Sequence, residues 1–269
     1  MKKRMQNKIA TIVLSLGAII LIMPLFWAFL SSFKTTLDVF EFGLPDKWHF
    51  SNYIEALSSG PWIRYFINSA IMAGSIALAQ SFCGALAGYS LAKFNYYGKN
   101  FIFAIVIGTL TLSQQVVFLP LFVVVSSLNW IDTYQGLIVP VMIAPFSIFL
   151  ARQYISGISD SLIEAARIDG ANEPRIFLSI IMPLSKPMLL VIFILAFTAF
   201  YNNLLWPLIV VRSEEMQTVA LALQQFKSAW YYRPELVLAV TIITILPMTV
   251  IFFFLQKYFL QGVSIQVEK

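Results

Sequence analysis

The chain has 269 residues, 59% of them hydrophobic and 12% charged, with a mean hydropathy of +0.80. Soluble domains hold roughly 45–50% apolar and about 25% charged residues, so there is too little polar surface here for a water-soluble globule, and the chain reads as an integral membrane protein. In such a protein a net charge of +5 speaks for anchoring and orientation rather than for nucleic-acid binding.

At the N-terminus Lys2, Lys3, Arg4 and Lys8 precede the first apolar run, about 9–30, which at 1.5 Å per residue can cross a ~30 Å hydrocarbon core. It is longer than the roughly 7–15 residues of a signal-peptide core, so it is expected to be a retained first span. A mixed, polar stretch comes next, with His49 the single histidine. The second span is expected over about 66–91. Its Gly84 and Gly88 stand at a small-xxx-small spacing that lets a neighbouring helix approach closely; the alternative is glycines scattered in a membrane helix. The third span, about 101–125, is interrupted by Gln114, Gln115 and Pro120. The fourth, about 135–151, carries Pro140 and Pro145, which free backbone carbonyls and predict a kinked helix inside the bundle. The fifth, about 188–211, contains Tyr201-Asn202-Asn203 and Trp206-Pro207. A polar loop with Phe226, Trp230, Tyr231 and Tyr232 leads to the sixth, about 236–255, closed by Gln256-Lys257-Tyr258-Phe259 and Gly262.

The fold class expected is therefore all-α integral membrane, six transmembrane helices in a single domain over 1–269, with N- and C-termini in the cytoplasm. With that topology Lys34, Lys47, Arg64, Arg212, Lys227 and Arg233 lie outside, and the remaining twelve of the eighteen basic residues lie inside. This is the bias that the positive-inside rule requires.

Between the fourth and fifth spans, residues 158–187 form the longest polar interruption on the inner side. Ser161 and Glu164 have the S-x-x-E spacing of a capping box, and Leu162, Ala165, Ala166 and Ile168 supply a short helix. Asp169-Gly170 is expected to end it, because glycine takes the left-handed conformation common at helix C-termini. Asn172 restarts a helix with Pro174 in its first turn. Ile176, Phe177 and Ile180 continue it at helical spacing, and Pro183 and Pro187 punctuate the entry to the fifth span. The reading is helix, glycine hinge, helix.

The chemistry is sparse. Cys83 is the single cysteine, so no internal disulfide is possible; with His49 the single histidine, a nucleophile–base pair or a metal set is not expected, and no catalytic residue is expected. There is no G-x-x-x-x-G-K-[ST] phosphate loop, so the chain is not expected to bind or hydrolyse ATP. No ionisable residue lies mid-span, which argues against a proton- or ion-driven carrier. The in-span polar groups are amides and hydroxyls. Gln114, Gln115, Asn202 and Asn203, beside Trp206, either line a path for an uncharged polyhydroxyl solute or hold neighbouring helices together.

Glu164-Ala165-Ala166, Asp169-Gly170-Ala171, Ile180 and Pro183 resemble the EAA loop of ABC importer permeases. The fuller run EAARIDGA followed by F-x-x-I-x-x-P-x-x-x-P is similar to the carbohydrate branch, the maltose-permease-like inner-membrane components of binding-protein-dependent transport systems. Ala87 to Phe94, Asn68-Ser69 and the C-terminal residues resemble the same family. The likeness covers most of the chain from Asn68 onward. It implies a passive multi-pass permease in the cell membrane, importing a mono- or oligosaccharide or a related polyol. It further implies a second related permease subunit, two copies of a cytoplasmic ABC ATPase carrying ATP-Mg, and an extracytoplasmic solute-binding protein. This chain would bind no cofactor and no nucleic acid. Glu164, Ala165, Ala166, Arg167, Asp169, Gly170 and Ala171 would form the ATPase-coupling interface. Phe226, Trp230 and Tyr231 would touch the binding protein, or else belong to an interfacial aromatic belt. A stand-alone secondary transporter or channel for a small uncharged solute is the alternative. The chain departs from the family at Ile158-Ser159-Asp160-Ser161, where a proline is usual, and at Tyr201-Asn202, where Trp-Asn is usual. Both departures bear on the substrate path and not on the coupling signature.

Overall fold

A backbone placed in lipid must satisfy its own N–H and C=O groups, and a helix does so within one segment. In the computed structural model, which describes the backbone of residues 2–264 and the side chains of 11–253, every regular element among the described residues is accordingly helical. In chain order they are α1 (Lys2–Ser31), α2 (Ser51–Ser58), α3 (Trp62–Lys93), α4 (Lys99–Thr109), α5 (Gln114–Ser127), α6 (Tyr134–Ile138), α7 (Pro145–Ser156), α8 (Asp160–Ile168), α9 (Glu173–Leu184), α10 (Lys186–Tyr201), α11 (Leu205–Val210), α12 (Val219–Ala229) and α13 (Pro234–Ser264). Lys257 and the other charged residues near the two termini lie outside the described side chains.

Three stretches, Thr11–Ser31, Trp62–Lys93 and Pro234–Phe253, are long and apolar enough to cross a membrane unaided. Three more candidates are bent pairs: α4 with α5 at 105°, Tyr134–Val141 with α7 at 45°, and α9 with α10 at 77°. Up to six spans result. The fourth expected span is kinked as its prolines predict. The third and fifth are corrected. The third breaks at Leu110–Ser113 and not at Pro120, which stays inside α5. There Thr109 Oγ1 donates to Val106 O and Thr111 Oγ1 to Gly108 O, each at 2.8 Å, taking carbonyls that a continuing helix would use. The run 188–211 is two helices. Asn202 Nδ2 donates to Thr198 O at 3.0 Å, and Asn203 Oδ1 caps α11 by accepting from Trp206 N at 2.9 Å.

The chain forms two compact units, one from the N-terminus through Trp62 with Ala222–Pro247, the other Ile63–Leu221 with the described residues from Met248 onward. In the first, buried Asn52 donates from Nδ2 to Ser32 O and Lys34 O, both at 2.9 Å, which ties α2 to the segment after α1. Arg233 pairs with Glu55 and with buried Glu235, and Thr36 Oγ1 also donates to Glu235 at 2.9 Å.

In the second unit α3 runs through two cores. Met72, Ile76, Phe118, Leu137, Phe197 and Trp206 fill one. Ala85, Tyr89, Ile155, Ile163, Ile176, Phe177 and Ile181 fill the other. Gly84 and Gly88 do admit a close neighbour, and it is α7. A Cβ on Gly84 would lie 2.8 Å from Ser147 Cβ, and one on Gly88 would lie 2.6 Å from Ala151 Cβ. The second core brings the end of α3, α7, α8 and α9 together, and it positions the site.

Candidate functional site

Residues 158–187 fold as two helices joined by a glycine turn. The start of α8 differs from the capping box expected of Ser161 and Glu164. The N-cap is Ser159, in extended conformation and without a side-chain bond to the helix. Ser161 lies in the first turn and its hydroxyl pairs with the Ser159 hydroxyl at 2.7 Å. What fixes this end is Lys93 at the end of α3. Its side chain is 5% exposed, and Nζ donates to Asp160 Oδ1 at 2.6 Å and to Ile158 O at 2.5 Å. The hydrogen bond from Lys93 and its charge hold the Asp160 carboxyl below the usual carboxylate range.

The C-terminal end of α8 depends on its glycine. Gly170 has φ +81°, Ala171 N donates to Ala166 O at 2.9 Å and Gly170 N to Arg167 O at 3.0 Å. This is the paired-bond pattern of a Schellman ending. Asn172 then caps α9, its Oδ1 accepting from Arg175 N at 3.0 Å, with Pro174 in the first turn where a missing N–H costs nothing. Phe177–Ile181 is wound as a π-helix, one turn before Pro183, whose ring nitrogen has no hydrogen to offer the preceding turn. The axis then turns by 77° into α10.

A second contact closes the hinge. Glu173 accepts from Tyr89 OH on α3 at 2.8 Å and from Arg167 Nε on α8 at 2.8 Å. Burial pushes the Glu173 carboxyl up, but these two donors outweigh it and leave it below its ordinary value. α8 and α9 are thus held to each other and both to α3. Ile163 is the one fully buried side chain of α8. Ala166 and Ala171 are half-buried against the core, while Glu164, Ala165, Arg167, Asp169 and Gly170 are exposed. Leu162 and Ile168 are exposed as well, Ile168 by 86%. Leu162, Ala165, Ile168 and Asp169 recur at helical spacing and form an outward, exposed stripe. Sequence reasoning assigns no role to Tyr89, Lys93 or Glu173, although Tyr89 and Lys93 lie in the run Ala87–Phe94.

The five residues expected along a substrate path do not converge. Gln114 lines a cavity of about 310 Å³ with Gln80, Pro140, Val141, Pro145 and Phe200. Gln115 is exposed and accepts from the Ser113 hydroxyl. Asn202 and Asn203 shape the break between α10 and α11 as described. Trp206 is fully buried, packs on Phe118 at 5.2 Å and donates from Nε1 to Leu137 O at 3.2 Å, so in this structure it belongs to the framework. Gln80, not among the five, reaches the cavity wall and donates to Val141 O at 2.9 Å. Of the aromatic trio in the other unit, Phe226 is buried between Trp62 at 5.6 Å and Trp230 at 5.7 Å, and Tyr231 is exposed.

Bent apolar helices, with a latched helical hairpin at the end of α3, define a multi-pass membrane protein. Residues 80–265 match the family described as binding-protein-dependent transport system inner membrane component, and the chain belongs to that family. It is 33% identical over 254 residues to the arabinooligosaccharides transport system permease protein AraQ of Bacillus subtilis (strain 168), covering 92% of this chain and 90% of that one. It is 34% identical over 245 residues to the probable ABC transporter permease protein YurM of the same strain, covering 90% and 81%. Identity is 30% over 266 residues to the sn-glycerol-3-phosphate transport system permease protein UgpE of Yersinia pestis bv. Antiqua (strain Antiqua), covering 93% of each. The fold is similar to a chain of a solved bacterial ABC transporter involved in the import of the acidic polysaccharide alginate, with a TM-score of 0.80, 24% identity and coverage of 96% and 98%. The chain is a permease component of an ABC importer, a pore subunit and not an enzyme.

Proposed function

We propose that this chain is one permease subunit of an ATP-driven sugar importer, moved by an external ATPase that grips the outward stripe of α8. The solute is a mono- or oligosaccharide or a polyol derivative, in keeping with the arabinooligosaccharides and sn-glycerol-3-phosphate in the names of its relatives. A second, related permease completes the pathway. Two copies of a cytoplasmic ATPase hold ATP-Mg, and an extracytoplasmic binding protein delivers the solute. The whole chain acts as one permease domain with six spans and both termini in the cytoplasm, which puts 158–187 on the ATPase side. The excess of basic residues on that side supports this orientation.

One observation carries the reading: the stripe Leu162–Ala165–Ile168 faces outward and is exposed, while its helix is bound to α3 through Lys93–Asp160 and, by way of Arg167, to the Glu173 carboxylate that Tyr89 holds. A push on α8 therefore reaches α3 without slack. Glu164 and Asp169, exposed beside the stripe, are assigned to polar contacts with the ATPase. Gln114 and the cavity it lines are assigned to the solute path, and Tyr231 to the binding protein. Reconstitution tests this. Proteoliposomes with both permeases, the ATPase and the binding protein should take up sugar only with internal ATP. Sugar accumulation by this chain alone would overturn the reading.

A further inference from the structure

Two cavities share Tyr96 in their linings, and neither is lined by the residues of the outward stripe. The first holds about 420 Å³ and is lined by the turn 95–98, Lys99, Asn100, Phe101 and Arg152. Its two cations have no ion-pair partner among the described residues. Lys99 Nζ donates to Phe94 O at 2.8 Å, which leaves two of its three N–H groups unused. Arg152 stacks its guanidinium 3.7 Å above the Phe103 ring, and its buried Nε donates to no acceptor. Two cations beside a cavity, one with a buried unused donor, call for an anion with several acceptor oxygens.

The second cavity, about 480 Å³, is apolar and runs along α3 past Tyr96, Phe94, Leu86 and Phe82, opposite Phe177 and Leu178 of α9. Phe82, Leu86 and Ser90 lie four residues apart on one helix face, so the groove climbs about 12 Å along the axis of a membrane helix. The carboxylate on its wall, Glu173, is already engaged by Tyr89 and Arg167.

We infer that the two cavities form one site for an anionic phospholipid, with its phosphodiester on Lys99 and Arg152 and an acyl chain along Phe82, Leu86, Phe177 and Leu178. Cationic pockets at helix ends suit anionic head groups, and a groove that shares its Tyr96 wall with such a pocket suits the chain attached to that head group. The site draws on the wall that α3 shares with α9, so a bound lipid would brace the hinge. The inference goes beyond the proposed importer function and does not depend on which sugar is carried.

The test titrates the delipidated, assembled transporter with dioleoyl phosphatidylglycerol, dioleoyl phosphatidylcholine or inorganic phosphate. Lipid bound per complex is read by native mass spectrometry, and thermal unfolding is measured in parallel. Phosphatidylglycerol should bind saturably and raise the unfolding temperature, while phosphatidylcholine does neither. The double substitution Lys99→Gln with Arg152→Gln should weaken phosphatidylglycerol about tenfold to thirtyfold. Lys99→Arg should restore part of it, and Leu86→Glu should weaken it with the cations intact. Equal binding of both lipids, or an unchanged double variant, would overturn the inference. Protection by inorganic phosphate that phosphatidylglycerol cannot displace would assign the pocket to a soluble anion and overturn the lipid as well.

Discussion

Lys93, at the last turn of a 32-residue helix, meets Asp160, at the first turn of a nine-residue one, across 2.6 Å. The lysine side chain is almost wholly covered and the carboxylate is exposed. The pair contributes little as a surface ion pair and more as a fixed joint, because Lys93 also holds the Ile158 carbonyl. Lys93→Met should therefore lower sugar uptake at least tenfold while leaving membrane insertion intact, and Asp160→Asn should lower it less. Uptake and ATPase rate measured on the same proteoliposomes separate the two effects, since a lost joint leaves ATP hydrolysis running without transport.

The same pair sets a pH dependence. The folded pKa of Asp160 lies below its unfolded value, chiefly through the Lys93 hydrogen bond. Its contribution is therefore complete above the unfolded value, near pH 4, and is lost as pH falls through the lower, folded one. Hydrogen exchange of α8 amides should be unchanged from about pH 8 to 5 after correction for intrinsic rates, and protection should drop only in the acid range. A loss of protection near neutrality would place the joint elsewhere.

Gly170 separates backbone from packing. Its φ is +81°, yet nothing lies within 4 Å of where a Cβ would be. Gly170→Val should destabilise the turn by about 1–3 kcal/mol through the left-handed backbone alone. Gly170→Asn, which tolerates that region, should stay near wild type. Sugar uptake by vesicles carrying equal amounts of inserted protein reads the difference.

Gly88 makes the opposite case. A Cβ there would come within 2.6 Å of Ala151 and 2.8 Å of Arg152 N, whereas Gly74 has open space. Gly88→Ala should force α3 and α7 apart and cost roughly 1–3 kcal/mol. Gly74→Ala should be neutral or slightly stabilising. Thermal unfolding in detergent ranks the two, and equal midpoints would contradict the close packing.

Ile168 is exposed by 86%, the most exposed large apolar residue of the outward stripe. Ile168→Asp should leave stability unchanged and sharply reduce co-purification of the ATPase. Co-purification at wild-type levels would mean that the subunit docks elsewhere.

Much is legible from residue order alone. The apolar runs mark where helices must form, since lipid leaves the backbone no partner but itself. Pro140 and Pro145 announce a kink, Gly170 and Asn172 announce a turn and a cap, and the run from Glu164 to Pro187 carries the family resemblance. These are local properties, decided by φ, by a missing N–H or by a side chain reaching three residues along. The start of α8 escapes such a reading because the local S-x-x-E spacing competes with a tertiary partner. Lys93, 67 residues away, takes Asp160 and fixes the start of the helix ahead of Ser161.

What folding alone decided is who meets whom. Nothing in the order of residues says that Tyr89 and Arg167 share the carboxylate of Glu173. Nor does it say that Gly84 and Gly88 face α7, or that Trp206 is sealed in the core. Hydropathy marks a residue as lipid-compatible but does not distinguish lipid from a neighbouring helix, because both are apolar. Only the packed arrangement of α3, α7, α8 and α9 makes that distinction. It turned residues 158–187 into a latched hairpin with one face buried and one face exposed.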